Sequence, residues 1–195
     1  MHSKRKLKAF LGFNWHWYLI IFIAVIFAFY YLFVSLKTPS YDERISIFIG
    51  TKFVESEELG RDLYTGFDES EIEEVYVDYS NPDGNDYAII FNTRGMVNTD
   101  ILILTKGYIL DGDYDSLFVK IDQKIIDKYN IDDEKLLYDT DGLVYGIDIT
   151  QYLKGYITGD ETYYLFFNKN SEKIGYLNDN SDNDYALKIL DNIIS

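Results

Sequence analysis

Two histidines, His2 and His16, are all the imidazole in this 195-residue chain, and cysteine is absent. Everything beyond residue 16 must therefore do its chemistry with carboxylates, amines, hydroxyls and amides. That excludes a Ser-His-Asp or Cys-His nucleophile there, a zinc site built on imidazole or thiolate, and any disulfide. Acids are abundant instead. All 33 Asp and Glu lie beyond residue 40, against 13 Lys and Arg (18 less Lys4, Arg5, Lys6, Lys8 and Lys37), a net charge of −20. Such a surface repels phosphate backbones and excludes nucleic acid as a partner. Two carboxylates suffice for glycoside hydrolysis. Among 33 acids a pair arises by chance, so no catalytic residue is assigned and no cofactor is implied.

One acidic run has metal-ligand spacing. Asp111-Gly112-Asp113-Tyr114-Asp115 carries the alternating acids that open an EF-hand loop. Its sixth position is Ser116 instead of glycine, its twelfth is Asp122 instead of a bidentate glutamate, and no incoming helix precedes it. A solvated acidic turn is the better reading, as it is for Asp139-Thr140-Asp141-Gly142, and no metal ligand is assigned. The 19 tyrosines offer a different chemistry, because aromatic faces stack on sugar rings. Most of them fall at strand or helix positions that half-bury a ring. Tyr108, Tyr114, Tyr145 and Tyr163 lie near predicted strand ends and are the candidate ligand-binding residues.

These residues are positioned by a chain of two unlike parts. Trp17–Leu36 passes twenty residues without a charge, about 30 Å of helix and the thickness of a bilayer's hydrocarbon core. Phe13, Trp15, Trp17 and Tyr18 at one end, and Tyr30, Tyr31 and Phe33 at the other, suit the two aromatic belts. Lys4, Arg5, Lys6 and Lys8 precede it with no acid, which by the positive-inside rule keeps the N-terminus cytoplasmic and sends the acidic part outside. A cleaved signal peptide has a shorter apolar core and a small-x-small cleavage site. Ser35-Leu36-Lys37-Thr38-Pro39-Ser40 matches that poorly, and an uncleaved signal-anchor is expected. The boundaries are a basic tail at 1–9, a transmembrane helix in lipid at 10–36, a tether at 37–43 and an extracytoplasmic domain at 44–195.

Within that domain, Arg44–Gly50 (RISIFIG) reads as a buried strand, Glu74–Tyr79 (EVYVDY) as a second strand, and Asp100–Thr105 (DILILT) as a third, continuous enough to be central in the sheet. Between them fall a helix capped by Ser56, with Leu59, Leu63 and Phe67 on one face, and a second helix marked by Tyr87, Ile90 and Phe91 that ends near Gly95. The alternation argues for a parallel sheet with right-handed crossovers. Leu117, Ile121, Ile125 and Tyr129 are spaced for one helix, and 136–149 for a hairpin turning at Thr140-Asp141-Gly142. Residues 162–167 (TYYLFF) read as a strand, 178–184 as a polar loop, and 185–194 as a closing helix that buries Ala186, Leu190 and Ile193.

Three segments resemble the first lobe of bacterial extracytoplasmic solute-binding proteins, the type II periplasmic-binding fold of ABC importers. They are the opening strand RISIFIG with its following helix and strand; Asn98-Thr99-Asp100-Ile101-Leu102-Ile103-Leu104, similar to that family's "PDI" strand; and Asp141-Gly142-Leu143-Val144-Tyr145-Gly146-Ile147, similar to its DGxxYGIP stretch, with Asp148 in place of proline. Tyr163–Asn170 (YYLFFNKN) echoes the strand that follows. The resemblance spans residues 44–170 and implies a three-layer α/β domain with a mostly parallel sheet, like one lobe only. Such receptors close two lobes on a ligand, and one lobe takes nearly all of this domain. It would keep the crevice at the carboxyl ends of its strands and lack the opposing wall. No ligand-binding residue is carried over.

The expected protein is a membrane-anchored, non-enzymatic binding or accessory module of the cell envelope, acting beside a transporter permease or another envelope protein. The alternatives are a low-affinity sugar or peptide receptor that completes its cleft by dimerising, and a carboxylate-based hydrolase.

Overall fold

The structure, a computed structural model, describes residues 2–37, 39–68, 70–108, 114–178 and 182–194. It divides into two compact units, Met1–Pro39 and Ser40–Ser195. The first is one helix, α1 (His2–Lys37). Its segment Trp15–Val34 is twenty residues with a mean hydropathy of 2.4, long and apolar enough to cross a membrane. Side chains on every side of this segment are exposed within the chain, from Val34 at 43% to Tyr31 at 72%.

The second unit is α/β, built on a six-stranded mixed sheet of order β2-β1-β3-β6-β5-β4. The strands are β1 (Arg44–Gly50), β2 (Glu74–Ser80), β3 (Ile101–Thr105), β4 (Leu136–Tyr138), β5 (Val144–Asp148) and β6 (Tyr163–Phe167). β1 pairs in parallel with β2 along all seven residues and with β3 through Ile47–Ile49. The remaining three interfaces, β3–β6, β6–β5 and β5–β4, are antiparallel. The sheet is therefore only partly parallel, and the expectation of a mostly parallel one is corrected. The strand period reports which face is buried but not which way the strand runs. TYYLFF is apolar throughout because it lies centrally between β3 and β5, where it meets cores on both faces.

Side-chain alternation sends successive residues to two cores. Ile45, Ile47 and Ile49 of β1, Ile101 and Ile103 of β3, and Leu165 and Phe167 of β6 face one core. That core also takes Leu59 and Leu63 of α2 (Ser56–Leu63) and Ala186, Leu187, Ile189 and Leu190 of the C-terminal helix. Phe48, Leu102, Leu104 and Phe166 face the other, with Tyr87 of α3 (Tyr87–Ile90), Phe91 of the π-helical turn Phe91–Gly95, and Tyr114 of α4 (Tyr114–Leu117).

Several boundaries differ from the sequence reading. The N-cap of α2 is Glu55, without a side-chain hydrogen bond, so Ser56 is the first helical residue and Phe67 lies beyond the end. The expected helix from Leu117 to Tyr129 is two pieces, α4 and α5 (Gln123–Tyr129). Phe118 bridges to Asn168 between them, and Asp122 caps α5 by accepting the N–H of Ile125 at 3.1 Å. The hairpin turns where expected, with Gly142 at φ +76°. α6 (Thr150–Leu153) then leads to β6, and α7 (Tyr185–Ile194) closes the chain with Ile193 only half-buried.

Candidate functional site

α2 follows β1 and packs into the first core while α3 follows β2 and packs into the second, so the chain leaves the carboxyl ends of these neighbouring strands toward opposite faces of the sheet. Open α/β sheets bind ligands at such a divergence. Among the described residues its floor carries packed side chains. Thr51, just past β1, places its hydroxyl 3.1 Å from the Tyr163 hydroxyl, which also donates to Glu161 Oε2 at 3.2 Å. A Cβ on Gly50 would sit 2.8 Å from the Tyr87 hydroxyl oxygen and 3.0 Å from Leu104, so only glycine lets these side chains close over the strand end. Lys52 and Asp83 form an exposed ion pair at 2.8 Å on the rim.

Three of the four candidate tyrosines, Tyr114, Tyr145 and Tyr163, are not brought together as one surface. Tyr163 is the first residue of β6, 3% exposed, and burial, then Glu161, raises its pKa. Tyr145 is 1% exposed, at the point where β5 carries one residue more than β4: Leu137 pairs with Gly146 but Tyr138 with Val144. Its ring lies 5.7 Å from that of Tyr114, which in turn packs against Phe118 and Phe166. The ring faces of Tyr114 and Tyr145 are thus committed to the second core, away from Tyr163. Tyr108 belongs to the 3₁₀ turn Lys106–Tyr108 that follows β3. Of the EF-hand-like run, Asp111, Gly112 and Asp113 lie outside the described residues. Among the described residues no three His, Cys, Asp or Glu side chains are grouped to hold a metal ion.

The most concentrated electrostatics lie at the opposite end of the sheet. Asp100 is fully buried one residue before β3. Its Oδ1 accepts from the hydroxyls of Tyr41 at 2.8 Å and Ser171 at 2.7 Å, and its Oδ2 from the Ser46 N–H at 2.9 Å and Lys173 Nζ at 3.4 Å. Lys173 also donates to the carbonyls of Tyr41 and Arg44 at 2.5 and 2.7 Å, and sits 3.6 Å over the Tyr41 ring. Burial pulls the lysine's pKa down against the pull of Asp100; burial, then Asp100, pushes the tyrosine's up. Every polar atom of this ion pair has a partner, so it works as a fastener rather than a reactive centre. It ties the first residues of the domain to β3 and to the segment after β6. An acid directly before an uninterrupted apolar strand was its one sequence signal.

No known family model, curated protein or solved structure matches this chain.

The domain's larger described hollows are open grooves. One of about 610 Å³ runs between α5 and the β4–β5 hairpin. Another of about 600 Å³ follows the outer edge of β2 beneath α2. That edge is blunted: Asp78 Oδ1 takes the Tyr79 N–H at 2.9 Å, and a Cβ on Gly60 would meet the Val75 carbonyl oxygen at 2.6 Å. A smaller hollow of about 280 Å³ lies by Arg44 and Arg94.

Proposed function

We propose that this is a single-pass membrane protein whose acidic α/β domain works outside the cytoplasm as a binding or accessory module, beside a transporter or another envelope protein. The observation that carries the reading is Trp15–Val34, an apolar helix of twenty residues that the rest of its unit leaves uncovered. In water that surface would be costly, at about 25 cal/mol for each Å² of apolar area; in lipid it is matched. The four bases ahead of it and the −20 charge of residues 41–195 support an inward N-terminus and an outward domain.

Contact with another macromolecule suits this domain better than capture of a small solute. A solute site is a concavity that buries most of its ligand. Among the described residues, Tyr163 and Tyr87 pack against the carboxyl end of β1, and the larger described hollows are open grooves. The sequence resemblance to a single receptor lobe is consistent with the same reading, since a lobe without its facing half would offer a surface, not a clamp.

The test is crosslinking of the full chain in its native membranes, followed by purification and mass spectrometry. The expected result is an integral membrane transporter or envelope protein crosslinked through the domain. Recovery of uncrosslinked chain only, together with saturable calorimetric binding of a sugar or peptide that rises with dimerisation, would replace this reading with the dimeric receptor.

A further inference from the structure

Three arginines lie beyond residue 40, and two of them, Arg44 and Arg94, line one cavity of about 280 Å³. Ser46, Asp78, Asn98 and Thr99 line it with them. The cavity stands beside the first residues of β1 and the approach to β3, at the other end of the sheet from the carboxyl-end crevice. Arg44 has no carboxylate within ion-pairing distance among the described residues, although the domain is crowded with acids. Its guanidinium rests 5.1 Å over the Tyr76 ring instead.

Two donors here are left over. Arg44 Nε and Ser46 Oγ are buried and have no hydrogen-bond partner, and Ser46 as a whole is 3% exposed. The two residues are separated by one position on β1, so their side chains share a face of the sheet. Buried donors are nearly always matched with an acceptor, because leaving one unmatched costs free energy. Arg94 is presented by the π-helical turn. The Thr99 hydroxyl fixes that turn by donating to the Arg94 carbonyl at 2.8 Å, while Asp78 meets the Arg94 guanidinium only loosely, at 3.5 Å.

We propose that this cavity binds a single carboxylate group. Two guanidiniums against Asp78 leave one positive charge, which a monovalent carboxylate neutralises. A phosphate dianion would overshoot it inside a domain already at −20. Arginine's planar fork matches a carboxylate's two oxygens, and the Ser46 hydroxyl adds a third donor. The space admits a small organic acid or the C-terminal carboxylate of a peptide, the same chemistry from two sources. This site stands independently of membrane attachment.

The experiment is NMR titration of the ¹⁵N-labelled full chain in detergent micelles, following the Arg44 Nε–H signal. The probes are acetate, N-acetylglycine, N-acetylglycinamide, inorganic phosphate and ionic-strength-matched chloride. Acetate and N-acetylglycine are expected to move the signal saturably, and the amide and chloride not. Tighter N-acetylglycine indicates a peptide terminus and tighter acetate a small free acid; either order supports a carboxylate site. Arg94→Gln and Ser46→Ala should each weaken binding about tenfold, while Arg61→Gln leaves it unchanged. Ser46→Ala should at the same time melt no lower than the parent, because it removes an unmatched hydroxyl. Absence of saturation by either carboxylate, tighter binding of phosphate, or unchanged affinity in both variants would overturn the proposal.

Discussion

At the scale of single residues, the chemistry of this domain is mostly structural. Asp100 and Lys173 are each almost wholly buried and stand inside a ring of partners, and the pair holds because every lone pair and proton is used. Lys173→Met strands the carboxylate, and a loss of about 3–5 kcal/mol in chemical denaturation is expected. Adding Asp100→Asn should restore part of it, since a neutral amide tolerates burial better than an unpaired charge. Asn168 is a second fastener. Its side-chain amide donates to the carbonyls of Met96 and Thr99 at 3.0 and 2.7 Å, closing the π-helical turn. Asn168→Ala should cost about 1–3 kcal/mol. Little of this was legible in the sequence. YYLFFNKN resembles a strand of solute receptors, and in this fold its Asn168 seats the turn that precedes β3. The sequence places Tyr114, Tyr145 and Tyr163 near strand ends, and position near a strand end does not report which neighbour a ring packs against.

At the scale of elements, the sequence was most legible where burial is simplest. RISIFIG, EVYVDY and DILILT are strands within one residue of their expected ends, because the first and third are short runs rich in isoleucine and the second alternates buried valines with polar or aromatic residues. The hairpin declared itself through Gly142, whose positive φ a side chain would resist. Less legible was the region from Tyr114 to Tyr129, where four-residue spacing of apolar positions survived a break. Phe118 pairs with Asn168 as an isolated bridge, and that tertiary contact outweighed helical continuity. The direction of β6 was illegible for a different reason: antiparallel insertion is a property of chain path, not of local pattern. One substitution tests the α2–β2 contact. Gly60→Ala would ordinarily favour a helix by up to about 1 kcal/mol. Here the added methyl meets the Val75 carbonyl at 2.6 Å, so the melting temperature should fall instead of rise.

At the scale of the whole molecule, an acidic α/β domain follows a twenty-residue apolar helix, and on the proposed reading the helix fixes location while the domain makes contact. Acidity also shapes the domain's response to pH. Burial comes first, and nearby acids second, in raising the pKa of Tyr41, Tyr145 and Tyr176; for Tyr156 the hydrogen bond to Asp62 leads. A tyrosine whose folded pKa is raised stabilises the fold fully below its unfolded value near 10, and that contribution is lost as pH climbs through the folded value. Stability should therefore decline above about pH 10, and tyrosinate absorbance should rise together with loss of far-ultraviolet circular dichroism rather than before it. The central claim, a helix that stays in the membrane with the domain outside, can be measured directly because the chain has no cysteine of its own. Single variants Lys4→Cys and Glu58→Cys, expressed in intact cells, are exposed to a membrane-impermeant maleimide. The account predicts labelling of the Glu58 variant at once, labelling of the Lys4 variant only after permeabilisation, and full-length chain in the membrane fraction for both. Labelling of the Lys4 variant in intact cells, or a Glu58 variant shortened and free in the medium, would contradict it.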